Sequence, residues 1–160
     1  MRFNCVNWIW NFIFRPIKTI QSFENCNFMQ VKTLDFVYSG KLDSGYLFEL
    51  YQGDIYTTLE VFESSLLELS NELQVAEELF KKGDLRRLQF LYHKLSPLLG
   101  YIGLPKLQRQ VQQFEEFCKK SQSAADIASQ FVYINILICE AMVVVRQELI
   151  RLKKFINKRA

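Results

Sequence analysis

The stretch Leu91-Tyr92-His93-Lys94-Leu95-Ser96-Pro97-Leu98-Leu99-Gly100-Tyr101-Ile102-Gly103 decides how the chain is read, and it holds the only histidine. Taken as a helix, it puts Leu88, Leu91, Leu95, Leu98, Leu99 and Ile102 on one broad face. Their spacing of three and four is that of a stripe turned to a core. His93, Ser96, Pro97 and Gly100 recur at i, i+3, i+4 and i+7, so they share another face. That strip carries one imidazole among small residues and suits the approach of something large. Pro97 cannot donate to the carbonyl four residues back, which is that of His93. The helix is therefore expected to bend, or to hydrate a free carbonyl, at the histidine. The plainer reading makes Pro97 a tolerated kink and His93 an ordinary surface histidine.

Outward from this stretch the chain reads as helix in both directions. Asp43 can cap a short helix carrying Leu47, Leu50 and Tyr51, which Gly53 breaks. Asp54 caps the next, over 54–82. Its Ile55, Leu59, Phe62, Leu66, Leu69, Leu73, Ala76 and Phe80 form an unbroken seam. Lys81, Lys82 and Gly83 close it, and Asp84 caps the histidine helix. Gly103 ends that helix and Pro105 suits the first turn of a fourth, over 104–120, with Leu107, Val111, Phe114 and Phe117 or Cys118 inward. Ser123 caps the last, over 124–158, whose inward row runs from Ile127 to Ile156. Its basic end is expected to be a solvated helix terminus with favourable charge. With short connections the expected fold is all-α: an up-and-down antiparallel four-helix bundle with a short leading helix over 43–160.

Composition sets the limits. The chain has 160 residues, 49% hydrophobic and 23% charged, with a net charge of +3. That is a globular domain with a real core, and the charge is too small to point to nucleic acid. Cys5, Cys26, Cys118 and Cys139 form no CxxC pair, and one histidine leaves no zinc set. Cys118 and Cys139 read as small buried hydrophobes in a reducing, cytoplasmic chain. A di-iron or haem site in the bundle is not expected, because Phe90 stands where a Glu-x-x-His pair needs its glutamate. Residues 1–42 read as a leader. Cys5–Phe14 is aromatic-rich but too short for a membrane span and poor as a signal peptide. It suits either an interfacial anchor or a short strand, and Met29 is an alternative start. Ser39-Gly40 reads as a turn.

With helix order and motif together, the chain resembles a histidine-containing phosphotransfer (Hpt) domain over about residues 43–158. The family carries a His-x-Leu-Lys-Gly run, then an apolar residue and a glycine nine and ten positions after the histidine. Here these are His93-Lys94-Leu95-Ser96-Pro97, Ile102 and Gly103. The Leu47–Asp54 run and the Gly83-Asp84 turn are also similar to the family's. The resemblance implies that His93 is the phosphoacceptor, taking a phosphoryl group from a response-regulator receiver aspartate and passing it to another receiver. It implies a phosphocarrier without activity of its own, no cofactor, and magnesium supplied by the receiver. Such a carrier is expected to be a cytoplasmic monomer with no nucleic acid and no transmembrane segment. Ser96 replaces the family's lysine and Pro97 its glycine. Substitute cations are Lys94, Arg86 or Lys119. The family's imidazole-orienting glutamine corresponds to Glu115, 22 residues after His93, which can accept from the ring N–H or pair with Lys119 on its own helix. Docking candidates beside His93 are Tyr92, Gln89 and Tyr101.

Two other functions fit the same residues. The missing lysine suits an Hpt-like module that docks a receiver but carries no phosphoryl group. The long last helix suits a scaffold pairing with a partner helix. Loss of His93 separates them, since only the carrier depends on it.

Overall fold

The structure is a computed structural model that describes residues 36–158, so the expectations for 1–28 and for Met29 lie outside the described residues. Five helices follow in order: α1 (Ser44–Tyr51), α2 (Ile55–Lys82), α3 (Leu85–Tyr101), α4 (Pro105–Lys120) and α5 (Ala124–Asn157). No strand occurs among the described residues.

Each boundary has a local cause. Asp43 Oδ1 accepts from the Tyr46 N–H at 3.0 Å, and Asp54 Oδ1 from those of Tyr56 and Thr57 at 3.0 Å. Gly83 closes α2 in the left-handed conformation, φ 70°. Its N–H donates to the Phe80 carbonyl, and that of Asp84 to Leu79, each at 3.0 Å. Asp84 then caps α3 through the Arg87 N–H at 3.1 Å. The same device ends α3, with Gly103 at φ 78° and the Leu104 N–H donating to Leu99 at 2.9 Å. Pro105 opens α4, and the Ser123 N–H donates to Asp126 Oδ2 at 2.9 Å ahead of α5.

The helices pack in chain order. α2 lies against α3, α3 against α4, α4 against α5, and α5 returns to α2, while α1 touches α2. Phe62, Leu66, Leu69 and Ala76 of the α2 seam are buried, and Ile55, Leu59, Leu73 and Phe80 half-buried. Leu79 and the small polar Thr58, Ser65 and Ser70 of α2 are buried as well. On α4, Leu107, Val111, Phe114 and Cys118 are inward and Phe117 is exposed. Phe80 stacks on Phe131 of α5, ring centres 4.2 Å apart. Cys118 is buried but Cys139 only half-buried.

α5 departs from the expected solvated end. Glu148 is buried and takes both Oε atoms to Arg151 at 2.7 Å and one to the Ser39 N–H at 3.0 Å. Arg151 also donates to the Val37 carbonyl at 2.9 Å and lies over the Phe36 ring. Residues 36–39 are thereby strapped to the end of α5, ahead of the expected turn, where the Leu42 N–H donates to the Ser39 carbonyl. Lys153 pairs with Glu63 of α2. By length and composition α5 could also cross a membrane, with a mean hydropathy of 1.8 in its most apolar 18-residue window. A core helix has the same composition, and here the row from Ile127 to Leu152 faces the other helices. Val132, Ile136, Val143 and Ile150 remain exposed on it.

Candidate functional site

Leu88, Leu91, Tyr92, Leu95 and Leu99 turn one side of α3 into the core. The helical period then places His93 outward, its side chain 68% exposed. Tyr92 is not a surface residue. It is fully buried, with its ring edge-on to Phe114 and its hydroxyl donating to Asn135 Oδ1 at 2.5 Å. The α3 stripe is wider than leucines alone suggest, because a tyrosine can bury its ring when its hydroxyl finds a partner.

Ser96 and Gly100 are also buried, so they do not flank the imidazole on an open strip. They face α4. A methyl group on Gly100 would stand 2.6 Å from Gln108 Oε1. Small side chains let two helix backbones approach, and here they bring α4 up beside His93. Pro97 stays on the outside, and α3 runs through it as continuous helix.

The approach of α4 delivers Glu115. His93 Nδ1 lies 3.1 Å from Glu115 Oε2, and the carboxylate side chain is only 12% exposed. Its other oxygen, Oε1, accepts from Gln89 Nε2 at 3.1 Å. A carboxylate has only acceptors to offer, so the ring presents Nδ1–H to it. The neutral ring then carries its lone pair on Nε2. Gln89 is thus half-buried and engaged with Glu115, whereas Tyr101, whose carbonyl accepts from the Tyr51 hydroxyl, is 45% exposed.

The cations lie elsewhere. Lys94 donates to Glu72 at 2.7 Å and Glu68 at 3.0 Å on α2. Those hydrogen bonds, Glu72 first, hold its ammonium above the usual lysine range. Lys119 sits 3.9 Å from Glu116, so the Glu115–Lys119 pair does not form. Arg86 lines a groove between α2 and α3 with Val75, Phe90 and Lys94. Phe90 is 69% exposed beside it. Neither described cysteine offers a rival nucleophile: burial pushes the Cys118 thiol up to about 12 and raises that of Cys139. Among the described residues no cluster of His, Cys, Asp and Glu could hold a metal ion.

Sequence reading missed two parts of this arrangement, Gln89 as a partner of Glu115 and the capture of Lys94 by α2. Gln89 one turn before His93 was the available signal for the first. Nothing local signals the second.

A family model for the Hpt domain matches residues 58–154, more than half of the chain. The chain therefore belongs to the Hpt domain family, which implies phosphotransfer in two-component phosphorelays. Comparison with curated proteins and with solved structures finds no match.

Proposed function

We propose that this protein is a phosphorelay intermediate whose phosphoacceptor is His93 Nε2. The observation that carries the reading is the exposed ring with Nδ1 turned to Glu115, which leaves Nε2 facing solvent. The Nε2 lone pair attacks the phosphorus of a receiver's aspartyl phosphate. The bond from phosphorus to the aspartate oxygen breaks, and its electron pair returns to the carboxylate. No proton moves, and the ring gains a positive charge beside Glu115. Donation to a second receiver is the reverse step. Such transfer requires the two reacting atoms close and in line, so the acceptor must stand on open surface. Magnesium and the aspartate belong to the receiver, and the carrier needs no metal or cofactor of its own.

The chain-order contacts and short links support reading α2 to α5 as an up-and-down antiparallel bundle. Phe90 and Val75, exposed beside the α2–α3 groove and edged by Arg86, Arg87 and Glu72, support a receiver-docking surface with an apolar centre and a charged border. The protein is read as a cytoplasmic monomer.

A second reading has its own support. A buried Ser96 stands in place of the family's lysine, and the substitute Lys94 is tied to α2, so neither position brings a cation to the ring. That arrangement suits a module that docks a receiver without carrying its phosphoryl group. The experiment is phosphoryl transfer from a panel of phosphorylated receiver domains, with magnesium, to the wild type and His93→Gln. The carrier predicts an acid-labile, base-stable label on the wild type only, with receiver binding retained in H93Q. Binding without label favours the docking module. Neither label nor binding turns attention to the exposed Val132–Ile150 row of α5 as a scaffold contact.

A further inference from the structure

We infer that Gln89 is a positioning residue for His93, acting through Glu115 to keep the ring proton on Nδ1. The inference rests on reading His93 as the phosphoacceptor, and it concerns a residue four positions earlier that does not touch the reacting nitrogen.

A carboxylate on a flexible side chain can turn either oxygen to a neighbour or swing toward water. Here both oxygens are engaged. Gln89 Nε2 holds Oε1 at 3.1 Å, and Oε2 faces His93 Nδ1 at the same distance. The orientation of the Gln89 amide is dictated by chemistry, because only its NH2 group can face an acceptor. Gln89 and His93 sit one turn apart on α3 and grip a single carboxylate of α4 from the same side. With Oε1 held, Glu115 loses little further freedom when it accepts from the ring. A held acceptor orients the imidazole and selects its tautomer, as outer partners do for histidines that bind metals. The ring itself is open to solvent and has no wall of its own to select a tautomer. The Gln89–Glu115 pair therefore decides that Nε2 is the free nucleophile. After Nε2 is phosphorylated, the same acceptor faces the proton that must remain on Nδ1 for the ring to leave as neutral imidazole.

The test is nitrogen-15 NMR of the His93 ring in the unphosphorylated full chain at about pH 8, where an ordinary imidazole is neutral. The wild type, Gln89→Leu, Gln89→Ala, Glu115→Ala and the Q89L/E115A double variant are compared. Wild type should show mainly the Nδ1–H form. Both Gln89 variants should shift the tautomer ratio toward Nε2–H by about fivefold, the worth of one such hydrogen bond. The double variant should match E115A, because Gln89 acts only through the carboxylate. Unchanged ratios in both Gln89 variants would overturn the inference, as would a Gln89 effect that persists on top of E115A. The tautomer is read without any receiver. Failure of the wild type to accept a phosphoryl group would therefore sink the carrier reading, while the NMR result still decides the role of Gln89.

Discussion

Gly103 bears two constraints at one residue. Its φ of 78° is left-handed, and a methyl group there would meet Leu47 Cδ1 at 2.8 Å in the core. Leu47 is fully buried and cannot swing away, unlike the side-chain end of Gln108 that faces Gly100. Gly103→Ala should therefore destabilise by about 2 kcal/mol, combining the left-handed cost with overpacking. A denaturant midpoint indistinguishable from wild type would contradict this account. The positive φ follows from a glycine placed just past a helix end, a pattern visible in sequence. The Leu47 contact is not visible there, because it joins residues 56 positions apart.

At the scale of the element, helix ends and the interior proline make separate predictions. Burial pushes the Asp54 carboxyl up, but the Thr57 and Tyr56 hydrogen bonds outweigh it and hold the group below the usual carboxylate range. A depressed folded value means that this stability is present above the unfolded pKa and is lost as pH falls through the folded one. Asp54→Ala should cost about 1 kcal/mol at neutral pH. The difference from wild type should shrink below about pH 4. Thermal melts of both proteins across that range check it. Pro97→Ala should restore an N–H toward the His93 carbonyl on the exposed side of α3 and stabilise by about 2 kcal/mol. No gain in melting temperature would mean that the turn is already relaxed around the proline. These boundaries were legible because capping and turn chemistry act over four residues or fewer. The inward turn of Ser96 and Gly100 was not. A helical period places residues on common faces, but it does not say which face meets a neighbouring helix.

For the whole molecule, the Glu148–Arg151 pair joins residues 37–39 to α5 over more than a hundred positions of sequence. Glu148→Ala leaves the Ser39 N–H unpaired and releases Arg151, whose own side chain is 48% exposed. The expected cost is roughly 2 kcal/mol, below that of a fully buried pair because the arginine still reaches water. Limited proteolysis should cut at residues 36–40 faster in E148A than in wild type. Equal cutting would show that the aromatic contacts of Phe36 hold the segment by themselves. From the sequence, this stretch belonged to the leader and Arg151 to the basic end of the last helix. Only the pairing across the chain gives either a partner.

The sequence by itself determined the helices, their caps, the buried rows and the Hpt family, because each rests on periods and motifs carried by neighbouring residues. The tertiary structure decided which surroundings the histidine has. Small residues on α3 draw in α4, which sets Glu115 against the ring and within reach of Gln89, while α2 takes Lys94 away from the ring. The relative rotation and offset of two helices come from side chains of both interlocking at once. That is a joint property of segments far apart in the chain, and no local pattern encodes it.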